Sequence, residues 1–74
     1  MPRLRTFSGR ELCRVLAEHG FVEVRQRGSH IVMQRRGGDT TTTVPVPDHQ
    51  ELRIGTLLSI IRQSGLPREL FETR

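Results

Sequence analysis

The spacing of apolar residues at the start of the chain predicts a helix with one buried face. The apolar positions recur at i, i+3 and i+4, and they are Leu12, Val15 and Leu16. Ser8 and Glu11 form an S-x-x-E capping box, in which each side chain satisfies a backbone N–H at a helix start. Gly20 stands where a left-handed residue ends a helix. We therefore predict a first helix over Gly9–His19.

Between residues 21 and 47 the period changes to two, which is typical of strands. Val22 and Val24 alternate with charged residues, so the first strand is predicted to bury one face. The Gly-rich turns and β-branched runs predict a turn over 27–29, a second strand over 30–35, a turn over 36–39 and a third strand over 40–46. Pro45 and Pro47 suit the end or the edge of a sheet, because proline cannot donate to a ladder.

A second helical stripe follows, and the order of elements then fixes the fold class. The stripe consists of Ile54, Leu57, Leu58 and Ile61. Gly65 ends this helix, and Pro67 opens a short helical turn over 67–74. Gly55 is interpreted as allowing close packing at the start of the helix, and anion binding there is the alternative interpretation. We predict one α+β domain over 1–74, an α-β-β-β-α two-layer arrangement with a three-stranded antiparallel sheet and two helices on one face.

Size and charge limit the kind of ligand that this chain can bind. With 74 residues, three Phe and neither Trp nor Tyr, it has too little apolar material to enclose a large cavity. All twelve basic residues are Arg, which reflects either coding bias or selection for phosphate contacts. Residues 21–38 carry four Arg against one Glu, a net charge of +3, whereas 39–74 carry four Arg against five acidic residues. This distribution predicts a polyanionic polymer bound on an open face.

Cysteine usage and hydropathy exclude several other classes of protein. Cys13 is the only cysteine, so neither a disulfide nor a cysteine zinc site can form within the chain, and we expect it to be a small core residue. The sequence shows neither a membrane-spanning stretch nor a signal-peptide pattern, so a cytoplasmic location without membrane binding is expected.

The stretch from Arg25 to His30 carries the candidate chemistry. His30 follows a Gly-Ser turn, and histidine is the side chain whose unperturbed pKa, ~6.5, allows proton exchange near neutral pH. Arg25 and Arg27 offer planar forks of donors that match phosphate oxygens. Gly28 and Ser29 can present backbone N–H groups and a hydroxyl to a phosphate. Arg35 and Arg36, across the hairpin, are further candidate phosphate contacts.

The same residues carry a resemblance to a known family. It rests on Gly20-Phe21, on Val24 to His30, on Thr43-Val44-Pro45, on Ile54-Gly55-Thr56-Leu57 with Ile60-Ile61, and on Arg62 to Leu66. Over residues 8–66 the chain resembles the HicA-type (YcfA-like) toxins of toxin–antitoxin systems. The resemblance implies a double-stranded-RNA-binding-like fold and mRNA cleavage without metal or other cofactor, with His30 as the catalytic residue. It also implies a HicB-type antitoxin as protein partner.

The residues alone leave several alternatives open. His30 could be a structural histidine that hydrogen-bonds to backbone, and Arg25 and Arg27 could line a solvated strand face. His19 and His49 are candidates for a second acid or base, although a helix-end position and a solvated loop explain them as well. A three-histidine metal site has no supporting spacing. The chain could also be an RNA-binding module without catalysis, or a protein-interaction module that uses its sheet edge.

Overall fold

Two helices and three strands alternate in the predicted order. The computed structural model describes residues 3–73. Its elements are α1 (Gly9–Glu18), β1 (Val22–Arg27), β2 (His30–Gly37), β3 (Thr40–Pro47), α2 (Ile54–Ser64) and a 3-10 helix (Arg68–Phe71). The strands form one antiparallel sheet in the order β1-β2-β3. The predicted α+β fold class is therefore confirmed.

The capping box at the start of α1 forms as predicted. The Ser8 hydroxyl accepts from the Glu11 backbone N–H at 3.0 Å, and the Glu11 carboxylate accepts from the Ser8 N–H at 2.8 Å. Hydrogen bonding of the Glu11 carboxylate by Ser8, chiefly by its backbone N–H, lowers the pKa of Glu11, because it favours the charged form. The helix ends at Glu18, with His19 as its C-cap.

Both helices pack on the same face of the sheet. That face contributes Ile31 and Met33 from β2 and two valines from β3 to a single core. The other core members come from the helices, the loops and the terminal segments, and they are Phe7, Leu12, Leu16, Phe21, Leu52, Leu57, Ile60, Ile61 and Phe71. Residues 3–73 form no layer over the opposite face of the sheet, and we call this face the open face.

The interpretation of β1 as a half-buried strand is wrong. Val22 and Val24 are 60% and 41% exposed, and all six residues of β1 are exposed. The register with β2 shifts between Glu23 and Arg25, so a bulge interrupts the alternation of faces. In addition, β1 is an edge strand, and Phe21 before it is the residue that enters the core.

Gly9 brings α1 into direct contact with the end of β3. The glycine is buried, and a Cβ at this position would overlap the Pro47 carbonyl oxygen. Its N–H donates to the His49 carbonyl at 2.9 Å. The first turn of α1 and the connection after β3 therefore hold each other in place.

Cys13 lies partly buried on α1 and packs against the core, in line with the expected structural role. Burial raises the pKa of its thiol from 9.0 to about 11, because desolvation penalises the thiolate. The thiol is therefore protonated at neutral pH. Within residues 3–73, no helix has the length and apolar character needed to cross a membrane.

Candidate functional site

His30 is the first residue of β2, directly after the turn made by Gly28 and Ser29. Gly28 has φ 57°, in the left-handed region that glycine tolerates. A Cβ on Gly28 would meet no atom within 4 Å, so backbone conformation, rather than space, favours glycine there. The turn residues and His30 are all exposed. A polymer can therefore reach the imidazole without any rearrangement.

The strand register places His30 in a row that crosses the open face. Arg27 of β1 is its partner on one side, and Pro47 of β3 is its partner on the other. Side chains of directly paired residues point to the same face of a sheet, and every second residue along a strand shares that face. The open face is therefore formed by Val22, Arg25, Arg27, His30, Val32, Gln34, Arg36, Thr41, Thr43, Pro45 and Pro47.

Three of the predicted RNA-binding arginines share the open face with His30. Arg25, Arg27 and Arg36 are exposed, and within residues 3–73 none of them forms a salt bridge. Their guanidinium groups are thus available to an anionic ligand. Two of them, Arg25 and Arg27, lie on the β1 side of His30.

Arg35 lies on the helix face, away from His30. Its guanidinium stacks over the Phe21 ring at 4.9 Å from the centroid. It also donates to the carbonyls of His19 and Ser64, at 3.4 and 3.5 Å, near the ends of α1 and α2. The structure therefore separates two neighbours that the sequence analysis grouped: Arg36 accompanies His30, and Arg35 joins both helices to the sheet.

A groove of about 410 Å³ opens beside His30, between β3 and α2. Its lining residues come from the strand ends and from one side of α2, and they are His30, Pro45, Pro47, Gly55, Thr56, Ser59, Ile60 and Gln63. Gly55 is exposed, and a Cβ there would meet nothing within 4 Å. The interpretation that Gly55 allows close packing is therefore wrong, because its missing side chain leaves open space in the groove.

The turn before His30 is tied to the loop after β3. The Ser29 carbonyl accepts from the Asp48 backbone N–H at 2.6 Å. The Asp48 carboxylate in turn accepts from Arg10 of α1 at 3.2 Å, and Arg10 also lies 3.9 Å from Glu23. These contacts hold the His30 turn against the rest of the fold although its side chains are exposed.

The other two histidines are not part of the groove lining. The Nδ1 atom of His19 forms a hydrogen bond with the Val15 carbonyl at 2.8 Å. His19 is the C-cap of α1, and its own carbonyl accepts from Arg35. His49 is an exposed loop residue whose carbonyl accepts from Gly9. Within residues 3–73, no three His, Cys, Asp or Glu side chains are grouped as metal ligands.

Comparison with known families decides where the chain belongs. Residues 9–66 match the family described as the HicA toxin of bacterial toxin–antitoxin systems. The chain belongs to the HicA toxin family. The matched segment begins with α1 and ends just after α2, so it includes the open face, the His30 turn and the groove. No curated protein matches the chain.

Membership of the HicA family identifies the chain as the toxin of a toxin–antitoxin pair. The resemblance seen in the Gly-Ser-His and Gly-Thr-Leu segments is thereby confirmed. The two segments begin 27 positions apart, at Gly28 and at Gly55, yet His30 and Gly55 line one groove.

Sequence reasoning did not place Thr56, Ser59 and Gln63 at the site. Their spacing of three and four residues puts them on one side of α2, and that polar stripe beside the apolar one was the available signal. The stripe alone does not reveal what it faces. The packing of α2 beside β3 brings it next to His30.

Proposed function

We propose that this toxin is an endoribonuclease that cleaves mRNA without a metal ion, with His30 as the catalytic residue. The observation that carries the proposal is the row Arg27–His30–Pro47 on the open face. In it an exposed imidazole lies beside guanidinium groups that form no salt bridge with any of residues 3–73. This arrangement offers an anion site and a proton-exchanging group at the same place. Family membership supports the assignment.

The chemistry uses a nucleophile that RNA itself supplies. The ribose 2′-hydroxyl attacks the adjacent phosphorus and loses its proton to the His30 imidazole. The bond from phosphorus to the 5′-oxygen breaks, and the leaving oxygen takes a proton from water or from the imidazolium. The products carry 2′,3′-cyclic phosphate and 5′-hydroxyl ends. Arg27 stabilises the charge that builds up on the phosphorane oxygens.

The remaining site residues have supporting roles in this proposal. Arg25 and Arg36 bind phosphates farther along the strand, from positions on the open face. Gly28 and Ser29 let the RNA backbone approach the imidazole closely, because the turn carries no bulky side chain. Arg35 is committed to Phe21 and to helix carbonyls, so we do not include it among the RNA contacts.

The test is cleavage of a long RNA in EDTA by the wild type, His30→Ala and His49→Ala. We expect His30→Ala to lose cleavage by about 100-fold or more, since about 100-fold is the lower end of what a general base contributes. His49→Ala is the matched control, because His49 is an exposed loop histidine outside the groove. Direct labelling by polynucleotide kinase, without prior phosphatase treatment, identifies 5′-hydroxyl ends.

Three results would contradict this function. Undiminished cleavage by a folded His30→Ala variant removes the catalytic role of His30. Products with 5′-phosphate ends, formed only when Mg²⁺ is restored, indicate metal-assisted hydrolysis instead. Tight RNA binding without any cleavage would favour the alternative of a non-catalytic RNA-binding module.

We further propose that a HicB-type antitoxin silences the toxin by covering the open face. The open face is broad, exposed around His30 and positively charged, with Arg25, Arg27 and Arg36 unpaired within residues 3–73. An acidic protein surface is electrostatically complementary to such a face and would exclude RNA from it.

A further inference from the structure

The groove between β3 and α2 differs in chemistry from the arginine side of the site. Among its lining residues, His30 is the one titratable side chain. The polar groups of the wall, on Thr56, Ser59 and Gln63, are uncharged, and the remaining wall is made of two prolines, an isoleucine and a glycine. Its volume of about 410 Å³ lies toward the lower end of small-ligand sites.

His30 lies at the boundary between these two surfaces. In the row across the sheet, Arg27 stands on its β1 side and Pro47, which lines the groove, on its β3 side. An RNA strand also presents two kinds of group. Its phosphates are charged, whereas its bases are flat, largely apolar on their faces, and carry uncharged donors and acceptors on their edges. The arginine side therefore suits phosphates, and the groove suits a base.

We propose that the groove binds the base of a nucleotide that flanks the scissile phosphate, and that Gln63 and Ser59 determine which base is accepted. The proposal rests on the proposed ribonuclease function for the position of the scissile phosphate at His30. It assigns to α2 a part in substrate selection.

The geometry of Gln63 supports this role. Its side-chain nitrogen donates to the Ser59 hydroxyl at 3.0 Å, which holds the amide in one orientation while the side chain is exposed. The amide keeps its carbonyl oxygen and a second N–H for a ligand. A side-chain amide with one donor and one acceptor matches the N6 and N7 edge of adenine, so adenine is the preferred base.

A larger side chain at Gly55 would fill part of the groove without disturbing the core. Gly55 is exposed, and a Cβ there would meet nothing within 4 Å. A leucine at this position therefore projects into the groove or into solvent. Leucine also favours helix over glycine, so the variant should unfold at no lower temperature than the wild type.

The first experiment maps every cut in a long RNA of balanced composition, by sequencing 5′-hydroxyl ends. The wild type should prefer adenine at one position next to the cut. Gln63→Ala should reduce that preference by about tenfold while still cutting the RNA, because one well-placed amide contact contributes discrimination of this order. Gly55→Leu should lower total cleavage by about tenfold, because displacing a substrate slightly is enough to slow its reaction.

Matched controls distinguish the groove from general effects of these substitutions. Gln50→Ala removes a glutamine in the exposed loop between β3 and α2, and Gly37→Leu fills open space at the far end of β2. Both should keep the wild-type cut pattern and rate. A Gln63→Ala variant whose cut pattern equals that of the wild type would overturn the proposal.

A second experiment separates this inference from the proposed ribonuclease function. The probes are the four nucleoside 3′-monophosphates, titrated into ¹⁵N-labelled His30→Ala protein and followed by NMR. Adenosine 3′-monophosphate should shift the amides of Thr56, Ser59 and Gln63 and bind about tenfold more tightly than the others. Base-selective binding by His30→Ala, together with a wild-type protein that does not cleave RNA, would refute the ribonuclease and keep the base site. Cleavage by the wild type without base-selective shifts would refute the base site alone.

Discussion

Arg27 is the residue that the ladder places directly opposite His30 on the open face. Its guanidinium is exposed and, within residues 3–73, forms no salt bridge. A group in this position can hold the phosphate that reacts, but it cannot reach base edges on the far side of Pro47. We therefore expect Arg27 to contribute affinity that is independent of RNA sequence.

Arg27→Ala should weaken RNA binding by a similar factor for unrelated sequences. Each phosphate contact that is lost should reduce the slope of log K against log salt by about 0.7 for a single strand. The measurement is fluorescence anisotropy with labelled RNA at several salt concentrations, in the His30→Ala background to prevent cleavage.

Arg14→Ala is the matched control, since Arg14 is an exposed arginine on α1, in the layer opposite the open face. It should leave the slope unchanged. If Arg27→Ala and Arg14→Ala gave the same slope as the parent protein, Arg27 would be a solvated surface residue.

At the scale of the elements, the two-residue period of β2 places two adjacent arginines on opposite faces of the sheet. Arg35 pairs across from Thr42 on the helix face, where it joins Phe21 to the ends of α1 and α2. Arg36 pairs with Thr41 on the open face. The cation near two helix C-termini is also favoured by the helix dipoles.

Arg35→Ala should lower the free energy of unfolding by about 1–2 kcal/mol, through loss of the cation–π contact and of two hydrogen bonds to carbonyls. Arg36→Ala should change it by about 0.5 kcal/mol or less. Urea denaturation followed by circular dichroism measures both. RNA affinity should show the reverse order, with Arg36→Ala weakened and Arg35→Ala close to the parent protein. Equal effects of the two variants on stability would contradict the assignment of faces.

Most element boundaries follow from local signals in the sequence. The capping box of Ser8 and Glu11 and the left-handed Gly65 act within a few residues of the ends they fix. Strand β1 is the exception, because whether Val22 is buried depends on what packs over it, and the bulge at Glu23/Arg25 comes from pairing with β2. Neither fact is local. The alternation of valines alone therefore predicted a buried face that does not exist.

The same distinction applies to the site. The Gly-Ser-His turn could be identified from sequence, because its chemistry is contained in consecutive residues. The separation of Arg35 from Arg36 follows from the register, which the sequence only suggests. The groove depends on how α2 lies against β3, and this packing brings Ser59 and Gln63 beside Pro45 and Pro47. Such a contact between distant segments cannot be predicted from the sequence of either segment alone.

At the scale of the whole molecule, the exposed arginines and the exposed His30 lie on the same face of the sheet, the open face. The helices occupy the other side of the sheet, and the turn at Gly28 and Ser29 leaves His30 exposed. A partner that binds the open face would cover His30 and the exposed arginines of that face together. It need not change the conformation of either.

Antitoxin and RNA should therefore compete for the same surface. With labelled RNA bound to His30→Ala toxin, added antitoxin should displace the RNA completely. The rate of antitoxin binding should fall as salt rises, because opposite charges speed the encounter. Native mass spectrometry can detect the alternative, a ternary complex of toxin, antitoxin and RNA. Such a complex, with wild-type cleavage still suppressed, would refute occlusion and indicate a conformational mechanism.

The contact of Gly9 with Pro47 makes the proposed activity sensitive to substitution at a residue outside the groove. Pro47 is the ladder partner of His30, and no side chain larger than hydrogen fits between α1 and its carbonyl oxygen. Any substitution at Gly9 must move the end of β3, the groove wall that Pro47 forms, or α1 itself. In a genetic selection for cells that survive the toxin, Gly9 should therefore yield escape mutations as readily as His30 does, although it touches no substrate.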